Sequence, residues 1–206
     1  MVKIALVANS KISNEQLIAP LILRHDVIIA VDGGLNQCDR MEIEPNLIIG
    51  DLDSVDQKLM RKYSSIPTKT YPKEKDYSDL ELALVENLRE TTSVITLFGV
   101  LENRLDHALG NLYLLSRFPG RAIIESDHET VHCVSGFKAF QSKPGQEVSC
   151  IPFPSPCSGV TTSGLKWEVE DRTLDKTFYS LSNVALGESF NINVEEGTLL
   201  CCLLRN

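Results

Sequence analysis

Four short, largely apolar runs limit how the first half of this chain can fold: Lys3–Ala8, Val27–Val31, Asn46–Ile49 and Val94–Phe98. None alternates polar with apolar residues. Strands of this kind are covered on both faces, as in a parallel sheet. Helical patterns lie between them. Asn14 to Leu23 carries Leu17 and Leu21 on one face, with Ser13 as cap. Further helical stretches run from Gly33-Gly34 to about Met41, near Asp56 to Tyr63, from Leu80 through Ala83, Leu84 and Leu88, and up to about Ser116. Strand and helix alternate to about residue 125, which predicts a parallel sheet sandwiched by helices.

In such sheets ligands sit beyond the carboxyl ends of the strands. Acids stand there in this chain. Asp32 follows the second run, and Asp51 and Asp53 follow the third, after Gly50. If the chain stays extended past Gly50, alternation sends both carboxylates to one side, roughly 6–7 Å apart. Like charges that close need a positive partner, and Mg²⁺ with oxygen ligands is the economical one. The alternative is a solvated turn ending in a helix cap at Asp53 or Ser54. Gly33-Gly34 lets a phosphate or sugar approach backbone amides, or else serves a tight turn that needs positive φ. Neither G-x-x-x-x-G-K-[ST] nor G-x-G-x-x-G is present.

The 206 residues suit one large domain or two small ones. A net charge of −8 disfavours a general nucleic-acid binder, which needs a basic face. No apolar run approaches the roughly 18–20 residues of a membrane-spanning helix. Met1 to Asn9 lacks a charged leader and reads as a first strand rather than a signal peptide. The six cysteines show no paired metal spacing and read as reduced cytosolic thiols, which places the protein in the cytoplasm. His128, His132 and Cys133 have no second ligand pair for zinc.

Two later segments carry charge suited to an anion. In Lys73-Glu74-Lys75-Asp76-Tyr77-Ser78-Asp79, Asp76 is placed to cap the next helix with Asp79 at its third position. The lysines are placed to neutralise phosphates while Asp79 reaches a metal. Arg104 has the planar fork that matches two phosphate oxygens. Asp106 either caps the following helix or orients Arg104, and His107 reads as a packed or solvated histidine.

From about residue 129 the helical period disappears. Short β-like runs appear at Thr130–Val134, Glu147–Phe153, Gly159–Thr162, Lys166–Val169, Ser189–Val194 and Thr198–Leu204, separated by Gly and Pro clusters. This predicts an antiparallel β-sandwich. The fold class is therefore α/β: an N-terminal parallel-sheet domain followed by an antiparallel β-sandwich. The sole tryptophan, Trp167, is core or a stacking surface, and Ser182-Asn183 sits in a predicted polar loop.

Taken in order, Asp32-Gly33-Gly34, Gly50-Asp51-Leu52-Asp53-Ser54, Lys75 to Glu81, Arg104-Leu105-Asp106-His107 with Asn111, Gly164-Leu165-Lys166-Trp167 and Ser182-Asn183 resemble the thiamine pyrophosphokinase (thiamine diphosphokinase) family. They span nearly the whole chain. The resemblance implies a nucleotide-binding catalytic domain, residues 1–128, and a thiamine-binding sandwich, residues 129–206. It implies a homodimer with each site built across the interface, acting on thiamine and ATP with Mg²⁺ and giving thiamine diphosphate and AMP. Asp51, Asp53, Asp79 and Arg104 become the catalytic residues, with Asp51, Asp53 and Asp79 on the metal. Asp32, Gly33, Gly34, Lys75, Ser78, Asp106, His107, Asn111, Trp167, Ser182 and Asn183 become the binding residues. Trp167 and Ser182 would come from the other subunit, and Asp79 or Asp51 would be the general base. Two positions depart from the family: Glu102-Asn103 replaces a Gly-Gly, and Ser78 replaces a threonine. Two rivals stay open: another Mg²⁺-dependent enzyme on nucleotide phosphates, and a thiamine binder without catalysis.

Overall fold

The computed structural model describes residues 2–90, 94–102 and 104–205. They fall into two compact units, Met1–Asn111 with Ile124–Asp127, and Leu112–Ile123 with His128–Asn206. Asn103, half of the Glu102-Asn103 departure, lies outside the described residues.

The first unit begins with β1 (Ile4–Val7), α1 (Glu15–Ile22), β2 (Val27–Val31), α2 (Gly34–Arg40) and β3 (Leu47–Gly50). It continues with α3 (Gln57–Lys62), β4 (Thr68–Thr70), α4 (Asp79–Glu90) and β5 (Ile95–Phe98). The strands lie in the order β4-β3-β2-β1-β5, all parallel. Each apolar run forms its strand because its side chains are covered: Ile4 to Val7 and Ile95 to Phe98 are buried throughout. β4 has no such signature. Its three residues are exposed, so no burial pattern marked it in the sequence.

Strand order reverses at β1, where the chain that ran outward through β2, β3 and β4 returns to place β5 on the other flank. This is the switch point at which open α/β sheets leave a crevice. The register aligns the strand ends there, with Val7 beside Ala30 and Phe98, and Val31 beside Ile49. The residues that follow each strand therefore share one edge.

Two predicted caps are corrected. Asn14, not Ser13, caps α1, its side chain accepting from the Leu17 amide. The Ser13 and Asn14 amides donate to Asp127 Oδ2 at 2.6 and 3.1 Å. That carboxylate lies more than a hundred residues away in sequence, so local pattern carried no sign of it. Ser78, not Asp76, caps α4, its Oγ accepting from the Glu81 amide at 3.1 Å. The apolar face of α4 is the expected one: Leu80, Ala83 and Leu84 are buried, and the helix lies on β1, β2 and β3.

α5 (Leu105–Ser116) and β6 (Ala122–Glu125) carry the chain from one unit to the next. The second unit then holds β7 (Glu129–Gln141), β8 (Glu147–Pro152), β9 (Cys157–Ser163), β10 (Arg172–Leu174), β11 (Ser180–Val184) and β12 (Ser189–Leu204). Every pairing among them is antiparallel. The unit is built on the long β7–β12 pair. β12 takes β9 on its other edge through Asn193 and again at Glu196, and β8 from Leu199 onward. The two runs predicted at 189–194 and 198–204 are thus one strand, with a register shift between Val194 and Leu199. Lys166–Val169 is not a strand; Leu165 alone makes a bridge, to Ala185. The core collects Val148, Cys150, Val160, Phe190, Ile192 and Leu199. Phe140 stacks on Phe190 with ring centroids 4.8 Å apart. A stacked aromatic pair contributes about 0.5–1.5 kcal/mol beyond its burial.

Candidate active site

The chain does not stay extended beyond Gly50. Asp51 Oδ1 accepts from the Asp53 amide at 3.2 Å, which closes an Asx turn. Leu52 is driven to φ +63, the left-handed region that a bulky side chain adopts only under constraint. Such strain costs about 1–3 kcal/mol. The Leu52 side chain packs against the first unit's core and offsets part of it. The turn draws the two carboxylates together instead of leaving them extended on one face.

Asp32 joins them from β2, also at positive φ, +50. The expected positive φ at the following glycines is absent: Gly33 sits at φ −60 and Gly34 opens α2. These glycines are needed for space. A Cβ on Gly34 would lie 1.8 Å from the Val7 carbonyl oxygen, and one on Gly33 would lie 2.3 Å from the Asn9 side chain. At Gly50 a Cβ would meet Asp32 at 3.0 Å. The result is that Asp32, Asp51 and Asp53 can each offer an oxygen with all three within 4.8 Å of one another. Ser54 Oγ donates to Asp32 Oδ2 at 2.5 Å, and Asp32 Oδ1 is buried with no partner.

Asp79 does not enter that trio. It reaches it through Lys75, whose ammonium lies 3.2 Å from Asp51 Oδ2 and 3.2 Å from Asp79 Oδ2, and donates to the Pro72 carbonyl at 3.0 Å. Burial pushes the Asp79 carboxyl above its ordinary range, although Lys75 pulls it down; Asp51 and Asp32 add to the rise. Asp51 shifts the other way. The Asp53 amide holds it below the usual range against its own burial, and Lys75 assists. Two acids sharing one lysine are therefore pushed apart in proton affinity, the pattern of a split acid–base role. Asp79 Oδ1 is also buried and unpartnered.

Asp32, Asp53, Asp79 and Lys75 line one cleft of about 520 Å³ at the strand ends of the first unit, and Asp51 joins it through Lys75. Ala8, Asn9 and Ser10 enter after β1, Asp32 after β2, Asp53 and Ser54 after β3, and Gly99 and Glu102 after β5. Lys73, Lys75, Tyr77, Ser78, Arg104, His107 and Asn111 close it. Arg104 is forked onto Asp106, Nε to Oδ1 at 3.1 Å and Nη2 to Oδ2 at 2.5 Å. The guanidinium holds the Asp106 carboxyl down to about 2. Asp106 lies inside the first turn of α5, so it is the partner of Arg104 and not the cap. Asn111 donates to the Val100 carbonyl at 2.7 Å and ties the loop after β5 to the helix. Asn9 and Ser10 escaped the sequence reading, although their place directly after an apolar run was the signal that identified Asp32.

Trp167, Ser182 and Asn183 form a separate group in the second unit. Trp167 is 56% exposed, so it is not core, and the Lys166 ammonium stands 4.5 Å from its ring centroid. Ser182-Asn183 is strand β11, not a polar loop, and Asn183 is 1% exposed. Its amide brackets the tryptophan backbone: the Trp167 amide donates to Oδ1 at 3.0 Å, and Nδ2 donates to the Trp167 carbonyl at 2.7 Å. Buried polar groups need such partners, which explains an asparagine in a core position.

Both parts of the chain match family models. Residues 18–124 match the thiamin pyrophosphokinase catalytic domain, and residues 131–199 match the thiamin pyrophosphokinase vitamin B1 binding domain. The chain belongs to the thiamine pyrophosphokinase family. It is 28% identical over 154 residues to thiamine pyrophosphokinase of Bacillus subtilis, covering 71% of this chain and 72% of that protein. It is 26% identical over 182 residues to thiamine pyrophosphokinase 1 of rice, Oryza sativa subsp. japonica, covering 81% and 69%. The crystal structure of the Bacillus subtilis thiamine pyrophosphokinase superposes with a TM-score of 0.86 at 22% identity over 99% of both chains. The parallel-sheet unit followed by an antiparallel β-rich unit is thus the fold this family shares, and the chain is an enzyme of this kind.

Proposed function

We propose that this member of the family transfers the pyrophosphoryl group of ATP to the hydroxyl of thiamine, forming thiamine diphosphate and AMP. One observation carries the reading: three carboxylates converge at a switch-point cleft lined by Lys73, Lys75 and Arg104, in a chain matched by both family models. The donor set is all oxygen and includes a buried unpartnered atom, Asp32 Oδ1, which suits Mg²⁺. Asp32, Asp51 and Asp53 would hold it, with Asp79 nearby through Lys75. When bound, Mg²⁺ neutralises polyphosphate oxygens.

The chain's own residues supply the rest. Phosphoryl-type transfer needs positioning and charge neutralisation more than covalent chemistry. Lys75, fixed by three acceptors, presents a stationary positive charge. Arg104 offers its fork to phosphate oxygens, with Asp106 holding it ready. Asp79, whose carboxyl is raised by burial, takes the proton of the attacking hydroxyl. Ser78 and Asn111 line the cleft, and Gly33 and Gly34 leave room for Asn9 and the end of β1 beside it. Trp167 supplies a flat exposed face for the pyrimidine ring, set in place by Asn183, with Ser182 beside it. Exposed Tyr179 and Leu181 on the same unit are apolar surface that a second copy would cover, in line with a homodimer whose site draws on both subunits. All six cysteines are free and five are buried, which suits a reducing compartment such as the cytoplasm. Residues 1–128 then serve as the catalytic part and 129–206 as the thiamine-binding part.

The test is product analysis with Mg·ATP, with and without thiamine. AMP formed only when thiamine is present supports the reading. ADP or phosphate released regardless of thiamine would make the protein a nucleotide hydrolase instead.

A further inference from the structure

The two lysines of the 72–78 loop are held very differently. Lys75 is 14% exposed and anchored by Asp51, Asp79 and the Pro72 carbonyl. Lys73 is 75% exposed, and among the described residues its ion-pair partner is Asp53, 2.6 Å away. Asp53 is itself 48% exposed and is one of the three converging acids. An exposed pair of this kind shifts an equilibrium by at most about fivefold. Its flexible four-carbon stem and compact charge let Lys73 reorient at little cost. Lys73 also lines the same cleft as Arg104 and Tyr77.

We propose that Lys73 is an exchanging counter-ion. It neutralises Asp53 while the cleft is empty, and moves onto the nucleotide's polyphosphate when Asp53 takes a divalent cation. Lys75 stays in place throughout. The inference rests on the acidic cradle described under the proposed function, and it has a consequence that a fixed phosphate ligand lacks. Removing the Lys73 ammonium acts with opposite sign on the two ligands. The divalent ion alone binds more tightly, because Asp53 has lost a competitor. The nucleotide binds more weakly, because its polyphosphate has lost a cation.

Lys73→Met, Lys73→Arg and Asp51→Asn are compared with the wild-type protein. Mn²⁺ binding without nucleotide is read by electron paramagnetic resonance, and α,β-methylene-ATP binding in Mn²⁺ by calorimetry. For Lys73→Met the Mn²⁺ Kd falls about two- to fivefold, and the nucleotide Kd rises about tenfold. Lys73→Arg keeps both near wild type. A thermal melt within about 2 °C of wild type confirms that the exposed substitution leaves the fold alone. Mn²⁺ affinity that is unchanged or weaker in Lys73→Met overturns the exchange. The Asp51→Asn arm separates the two readings. If it binds Mn²⁺ like wild type, the acidic cradle itself is wrong. If it loses Mn²⁺ while Lys73→Met behaves as wild type, the lysine inference alone fails.

Discussion

Replacing Gly34 with alanine tests the architecture of the cleft at its tightest point. The added Cβ would sit 1.8 Å from the Val7 carbonyl oxygen and 2.7 Å from its carbon. Both are backbone atoms of the central strand, so no side chain can rotate away. The start of α2 must retreat from β1 by well over an ångström to reach ordinary contact. Overpacking against a rigid neighbour costs about 1–3 kcal/mol, occasionally more. The helical preference of alanine returns less than about 1 kcal/mol. A net loss near 2 kcal/mol lowers the melting temperature of a chain this size by about 4–8 °C. Asp32 is two residues away and moves with the helix, so nucleotide KM should rise as well. Gly110→Ala is the control. It lies in α5 with nothing within 4 Å of the added Cβ, and should raise the melting temperature by about 1–3 °C. Differential scanning calorimetry on the pair gives the answer. A Gly34→Ala protein that melts within 2 °C of wild type with unchanged KM would refute the close helix–strand contact.

Asp51→Asn and Asp53→Asn should each lower turnover by about two orders of magnitude or more with a nearly unchanged melting temperature, as expected of polar groups outside the core. Wild-type turnover in either variant rules out its role on the metal. Trp167→Ala should raise KM for thiamine several-fold while KM for ATP stays put; equal effects would mean a structural role, despite the exposure of the ring. Burial, aided by the Lys138 ammonium, lowers the His132 imidazole to about 4. A histidine lowered on folding stabilises the protein fully above its unfolded value near 6.5, and that stability drains away as pH falls toward 4, by at most about 3 kcal/mol. His132→Phe, at a site where Nδ1 has no partner, should flatten the acid limb of a denaturation-midpoint profile. An unaltered profile contradicts the assignment.

The sequence by itself determined four of the five parallel strands of the first unit, β4 excepted, and the places where acids follow them. Both are local signals: mainly apolar runs without alternation mark strands buried on two faces, and chain direction puts the next residue at the ligand edge. It also marked the change to antiparallel structure near residue 129. Other features were settled only by the tertiary structure, because they depend on partners distant in sequence. Leu52 turns left-handed with its side chain packed against the core, and this turn, not strand alternation, brings Asp51 and Asp53 to Asp32. Asp127 accepts from the Ser13 and Asn14 amides from more than a hundred residues away, while Asn14 caps α1. Asn183 is buried because Trp167 offers it two backbone partners from another segment. Patterning reports which residues seek burial, whereas the turns and hydrogen bonds that aim a carboxylate depend on what the fold sets against them.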